Sequence, residues 1–281
     1  MTMKRQENKH KGEMHGYTQM ELGDVISQNR MEEKEASEEL KWLKASYRFH
    51  TYSYRDPRSA FAAAVGSPVV SPTTVLLGVA STLFRVGLAD EARSFLQVAH
   101  QCKVVVDPPD GLIFFRAFHQ LRRYHTRYIG KDKRKGENPR LGMTNINQGT
   151  REYGLVDGAM TVFVGIPSDQ VEFVEIALLN LTHLGTHDSL CAIDGTVEFC
   201  SEPSQVMYMP SEGLAKEIHQ NGLDVLDKGV AIVTLSRFKS AIQPVSKHWW
   251  LSGGDKDTER LSYAIHGKFT GTTRGKIYRK N

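Results

Sequence analysis

The stretch TREYGLVDGAMTVFVGIPSDQVEFVEIALLNLTHLGTHDSLCAIDGTVEFC, residues 150–200, decides the fold class. Its first part, TREYGLVDGAMTVFVGIP, predicts a strand, because Met160, Val162 and Val164 alternate onto one face. The period then changes. In SDQVEFVEIALLNLTHLG, apolar residues recur at Val171, Val174, Leu178 and Leu181, which is one face of a helix. Ser168 is placed to cap that helix, and Gly185 to end it in a left-handed conformation. DSLCAIDGTVEFC predicts a closing strand. This half of the molecule therefore reads strand, helix, strand.

Working toward the N-terminus, the same order recurs. KWLKASYRFHTYSY, residues 41–54, alternates apolar and polar at Trp42, Tyr47, Phe49 and Tyr52, as a strand does. A loop rich in Arg, Ala, Gly and Pro follows. SPTTVLLGVASTLFRVG predicts a helix, with Ser71 as N-cap, Pro72 as the first helical residue and Gly87 as the stop. Its apolar stripe is Val75, Leu76, Val79, Leu83 and Phe84. A second helix begins near Asp90, KVVVD is a short strand, and GLIFFRAFHQLRRYHTRYI is a long strand or ribbon. Two β-α-β halves in this order predict an α+β, ferredoxin-like β-α-β-β-α-β domain over residues 41–200. Residues 201–281 carry short strands such as GVAIVTLSRF and LSYAIHGKF and predict a smaller β-rich region ending in the basic segment TGTTRGKIYRKN. Residues 1–40 hold six Lys/Arg against nine Asp/Glu and little apolar pattern, which predicts a weakly ordered polar extension.

Composition narrows the function. The 281 residues are 40% hydrophobic and 24% charged, ample for a packed core. The three cysteines, Cys102, Cys191 and Cys200, show neither CxxC nor Cys/His spacing, which favours reduced thiols and a cytoplasmic setting over a disulfide framework or structural zinc. No apolar run reaches membrane-spanning length, and MTMKRQENKHKGEMHGY lacks the apolar region of a secretory signal. Phosphate-binding glycine motifs, HExxH and GxSxG are absent from the sequence, so no cofactor or metal is expected. The acidic trio Asp255, Asp257 and Glu259 is too short a ligand series for calcium and reads as a solvated turn.

The charge is concentrated. Residues 116–151, RAFHQLRRYHTRYIGKDKRKGENPRLGMTNINQGTR, hold ten Lys/Arg against two Asp/Glu in a chain of net charge +4. The middle of this stretch is too polar and too rich in Gly and Pro to pack as core. It predicts a projecting loop that meets polyphosphate. Histidine and tyrosine are interleaved with the cations. A metal-independent endoribonuclease could recruit His119, Tyr124, His125 or Lys131 for acid-base attack by a 2′-hydroxyl. The plainer reading is that these residues contact RNA without cutting it.

Three segments carry a family resemblance. SPTTVLLGVASTL, GTREYGLVDGAMTVFVGIP and LTHLGTHDSLCAI resemble, in order and spacing, three motifs of the CRISPR-associated Cas-five family of the RAMP superfamily. The resemblance covers residues 41–200. It implies a Cascade subunit that caps the 5′ handle of the crRNA in a type I complex. It also implies contacts with the backbone and large subunits and, through the assembled complex, with target DNA. A β-hairpin thumb is implied at about Tyr128 to Gly149. The implied RNA contacts fall in three groups. Arg55, Arg58, Ser71, Thr73 and Thr74 lie in the loop where the family grips the handle. Arg116, Arg122, Arg123, Lys131, Lys133, Arg134, Lys135, Arg140, Asn145, Gln148 and Arg151 lie on the thumb and its base. Gly185, Thr186, His187 and Ser189 lie in a glycine loop, Leu184-Gly185-Thr186-His187-Asp188-Ser189, whose backbone can approach phosphate. One branch of the family cuts precursor crRNA, but these motifs look closer to the non-cutting branch.

Overall fold

The computed structural model describes residues 40–54, 63–64, 66–124, 144–204, 207–208, 229–242, 257–272 and 275–281, with side chains except at 63–64, 119–124, 144–150, 208 and 272. In chain order the first elements are β1 (Lys41–Phe49), β2 (Ala63–Ala64), α1 (Pro72–Arg85), α2 (Ala89–Val98), β3 (Lys103–Asp107), β4 (Gly111–Tyr124) and β5 (Thr144–Asp157). Then come β6 (Met160–Ile166), a 3-10 turn at Ser168–Gln170, α3 (Val171–Leu179), β7 (Cys191–Ile193) and β8 (Glu198–Cys200). The remaining strands are β9 (Met207–Tyr208), β10 (Val230–Phe238), β11 (Thr258–His266), β12 (Lys268–Thr272) and β13 (Gly275–Arg279).

Three helices and mostly antiparallel sheets make a mixed fold among the described residues. The first sheet runs β3–β6–β1–β7, all antiparallel, with β8 also against β1. In chain order, α1 and α2 lie between β1 and β3, and α3 lies between β6 and β7. The alternation seen in the sequence gives this sheet its buried face. Leu43, Ala45 and Tyr47 on β1 and Met160, Val162 and Val164 on β6 are all fully buried. The helices supply the other half of the core through Val75, Val79, Leu83, Phe95, Val174 and Leu178. The Tyr47 hydroxyl donates to the Leu178 carbonyl at 2.8 Å, locking α3 onto the sheet.

Several boundaries differ from the sequence expectation. The stretch TREYGLVDGAMTVFVGIP is two strands in two sheets. Gly158, at φ +82°, turns the chain between β5 and β6, and an added Cβ there would crowd the Asp110 side chain. DSLCAIDGTVEFC is likewise interrupted, with β7 and β8 lying along the same antiparallel partner, β1. Ser168 does not cap α3, because the chain enters that helix through the 3-10 turn. Gly185 has the left-handed φ of +119°, but in the loop beyond α3, which stops at Leu179. Ser71 does precede Pro72 at the start of α1, yet its hydroxyl makes no capping bond and serves other partners.

A second sheet, β12–β13–β4–β5–β2, sits beside the first in sequence but mixes both ends of the described chain. β13 pairs with β4 from Gly275↔Phe115 to Arg279↔Gly111. Strands from the 201–281 region thus flank the base of the basic ribbon. β9, β10 and β11 form a third, three-stranded sheet.

Candidate nucleic-acid interface

The basic stretch begins and ends in one hairpin. β4 and β5 pair without a bulge from Gly111↔Asp157 to Tyr124↔Thr144. Arg116, Arg122 and Arg123 fall on β4, and Asn145, Gln148 and Arg151 on β5. Arg55, Arg58, His125, Lys131, Lys133, Arg134, Lys135 and Arg140 lie outside the described residues, as does the expected thumb before Thr144.

The base of this ribbon has two different faces. On the inner face Leu112 and Phe114 are buried. Glu152 on β5 is buried among polar groups of the same face, with 8% exposure. Its carboxylate accepts from the Gly66 N–H at 2.7 Å and from Arg116 Nε at 3.3 Å, and lies 3.6 Å from Lys276 Nζ. Lys276 also donates to the Gly66 carbonyl at 2.6 Å and stands 4.6 Å from the centre of the Phe114 ring. One carboxylate therefore ties the 63–71 segment, the ribbon and β13 together. Gly66 is required there, since a Cβ would strike the Phe114 ring. On the outer face Ile113, Phe115 and Leu155 are exposed. The Phe115 and Tyr153 rings stack with centroids 6.1 Å apart and planes at 29°.

The three resembling motifs meet on a tripeptide, Tyr52-Ser53-Tyr54, of which the sequence pattern names only Tyr52, as a strand residue. Ser53 faces the glycine loop. Its N–H donates to Ser189 Oγ at 2.9 Å, and its carbonyl accepts from Ser189 Oγ and Thr186 Oγ1, both at 2.7 Å. Tyr54 faces the start of α1. Its hydroxyl donates to Ser71 Oγ at 2.5 Å and accepts from Thr74 Oγ1 at 3.3 Å. Tyr52 faces the ribbon, its carbonyl accepting the Gly154 N–H at 2.7 Å, while its hydroxyl reaches the Ser67 carbonyl at 2.6 Å. The expected strand over residues 41–54 stops at Phe49, and the tripeptide lies beyond it, where Tyr52 makes an isolated bridge to Gly154.

This network defines what the expected contact residues do in the fold. Ser71 is fully buried and also accepts the Ser236 N–H at 2.9 Å, and Thr73 pairs with Ser236 Oγ at 2.6 Å. Ser189 is buried, and with Thr186 it fixes the glycine loop to Ser53. Gly185 and His187 remain exposed on that loop, and the His187 ring stacks on His183 at 5.6 Å. Asp188 connects the loop to the ribbon. Its carboxylate pairs with Arg151 Nη1 at 2.9 Å and accepts from the Tyr153 hydroxyl at 3.2 Å. Burial, then the neighbouring Asp188 charge, pushes the Tyr153 phenol pKa up, so the phenol stays a donor. Arg116 and Arg151 are thus each paired with a carboxylate yet partly open to solvent.

Other candidate chemistry resolves into structural pairs. Of the acidic trio, Asp257 accepts from Ser240 Oγ at 3.0 Å and Glu259 pairs with Arg237 at 2.6 Å, while Asp255 lies outside the described residues. All three cysteines are free thiols. Burial pushes Cys102 and Cys191 up to about 12, which leaves them unreactive protonated thiols at neutral pH. No described helix is long and apolar enough to cross a membrane.

No protein-family model matches the chain, and no curated protein matches it in sequence. Among solved structures, it is similar to a CRISPR protein from Archaeoglobus fulgidus, at 10% identity and TM-score 0.37, covering 86% of this chain and 92% of that one. It is similar to a chain of a CRISPR RNA-guided surveillance complex, at 15% identity and TM-score 0.35, over 85% of this chain and 90% of that one. A chain of the Type III-B Cmr-beta complex bound to cognate target RNA aligns at 8% identity and TM-score 0.39, over 64% of this chain and 67% of that one.

Proposed function

We propose that this chain is a non-catalytic RNA-binding subunit of a type I CRISPR Cascade complex. In this reading it is a ferredoxin-like RAMP protein that holds the 5′ handle of the crRNA and caps the backbone filament. The observation that carries the reading is the meeting of the three family-like motifs on Tyr52-Ser53-Tyr54, at the root of a hairpin whose connection is strongly basic. The ribbon supplies cations for phosphates, and the segment from about Tyr128 to Gly149 corresponds to the thumb that the family resemblance implies. The glycine loop and the described residues Gly66 to Thr74 border the same root.

The non-catalytic part of the proposal draws on the ribbon ladder. It is regular through His119 and Tyr124, and an odd spacing of five in a regular strand assigns two positions to opposite faces. Incubating the purified chain with its own repeat RNA, with and without EDTA, should leave the RNA intact in both cases. Cleavage at one position, lost in His119→Ala or His125→Ala, would replace this reading with a processing endoribonuclease.

Binding itself is tested by salt. Affinity for the crRNA handle should fall with salt, with a logarithmic slope of about −0.7 for each phosphate contact on single-stranded RNA. Expression with the neighbouring backbone and large subunits should yield a complex holding crRNA. A binding constant that stays flat as salt rises would overturn the proposal.

A further inference from the structure

Resting on that RNA-binding reading, we infer that the outer face of the ribbon base is a stacking platform for single-stranded RNA bases. Phe115 and Tyr153 are directly opposed across β4 and β5, and the next rung on the same face pairs Ala117 with Arg151. Residues opposed in an antiparallel ladder share a face. The face therefore carries two near-parallel aromatic rings, an arginine beside them, and Ile113 opposite Leu155 on the far side. Ile113, Phe115 and Leu155 are all exposed, with Leu155 at 60%.

An exposed apolar strip on a sheet needs an occupant. The charge beside it points to nucleic acid. The strip lies on the two strands that lead into the segment 116–151, with its ten Lys/Arg against two Asp/Glu. Aromatic rings next to cations along a backbone-tracking groove are the elements of sequence-tolerant single-strand binding. Bases stack on Phe115 and Tyr153, and Arg151 meets the phosphate between them. Asp188 acts as a positioning residue. It holds the Arg151 guanidinium and the Tyr153 hydroxyl in place, and it competes with phosphate for Arg151.

The test uses the full chain and a short fluorescein-labelled single-stranded RNA of mixed sequence, read by anisotropy beside the same RNA in duplex form. Phe115→Ala and Phe115→Leu should each weaken single-strand binding about tenfold to a hundredfold, the loss expected for one stacked base. Phe115→Tyr should bind like the parent, because the ring is kept. Asp188→Asn should bind more tightly, since Arg151 loses its competitor. Melting curves establish that each variant is folded, and if Phe115→Ala is not, the Leu and Tyr variants decide. If Phe115→Leu binds like the parent while a variant with Lys131, Lys133, Arg134 and Lys135 all changed to Ala loses RNA, the platform is wrong and the RNA-binding reading stands. If the parent itself binds no RNA, both fall. If Phe115→Leu keeps RNA but no longer associates with a partner subunit, the strip is a protein contact and the inference is overturned.

Discussion

The two large sheets of this protein are finished differently. The sheet β3–β6–β1–β7 buries Leu43, Ala45, Tyr47, Met160, Val162 and Val164 on its inner face. Its outer face carries polar pairs: Lys44 with Glu198 at 3.3 Å, Arg48 with Asp194 at 2.9 Å, and Ser46 with Thr161 at 2.8 Å. The sheet built around β4 and β5 also buries one face, through Leu112, Phe114 and Tyr278, but leaves Ile113, Phe115 and Leu155 open on the other. The polar side chains of β1 find their partners on β6, on β8 and in the turn after β7. The second sheet carries apolar surface beside cations. Stability and the proposed RNA contacts should therefore be separable, and substitutions should sort by whether they fall on a buried or an exposed face.

The largest effect should come from Leu43→Ala. This side chain is fully buried in the first sheet, and its loss should cost about 2–5 kcal/mol through transfer and cavity terms. Denaturant unfolding measures this, and Phe115→Ala in the second sheet should cost clearly less. Equal costs would break the comparison. Next comes Glu152→Gln, which removes the charge that holds Arg116, Lys276 and the Gly66 N–H. A loss of about 1–3 kcal/mol is expected at the less exposed partners, Lys276 and the Gly66 N–H, since Arg116 keeps its access to solvent. No loss would mean that the second sheet does not depend on this carboxylate for its connection to the 63–71 segment.

Alkaline pH gives a smaller effect. Cys102 and Cys191 have thiol pKa values raised by burial, from about 9 to about 12. A raised folded-state value means that stability is complete below about 9 and is lost as pH climbs toward 12, because the unfolded chain ionises first. The melting temperature should hold steady from neutral pH to pH 8 and fall above 9. Iodoacetamide at pH 8, read by mass spectrometry, should label Cys200 well before Cys102 or Cys191. Early labelling of Cys191 would show that β7 opens readily from the first sheet. The smallest effect on stability should come from changing Lys131, Lys133, Arg134 and Lys135 together to Ala. Unfolding free energy should shift within about 0.5 kcal/mol, as for surface positions. The salt slope of RNA binding should flatten by about 0.7 for each phosphate that is no longer neutralised. A large stability change would show that this segment is structural.

Local periodicity made the first sheet legible. Alternation at Met160, Val162 and Val164 and the stripe Val75, Leu76, Val79 and Leu83 follow from one-sided burial, and these residues are buried. Phe84 extends that stripe in sequence but is partly exposed, beneath the Arg93 guanidinium. The second sheet was harder to read, because its pairings are non-local. Nothing near β4 announces β13, and nothing near Gly66 announces Glu152 or Lys276. At the site, the basic ribbon was visible as charge. The tripeptide Tyr52-Ser53-Tyr54 and the carboxylates Glu152 and Asp188 were not, since their roles come from hydrogen-bond partners far away in sequence. Ser71, Thr73 and Ser189 stand out by their polar chemistry, and the fold uses that chemistry internally.

The hydrogen bond between Lys276 and the Gly66 carbonyl joins residues 210 apart in the chain. It sits where β13 completes the edge of β4. On a ribosome, the hairpin emerges long before the strand that seals it, so the nascent ribbon has an unpaired edge while the rest is being made. Pairing of such distant partners is slow, because loop closure comes before any gain from contact. An open strand edge in that interval is also a template for pairing with other chains. The order of synthesis thus delays a mature ribbon base until β12 and β13 have been made and paired.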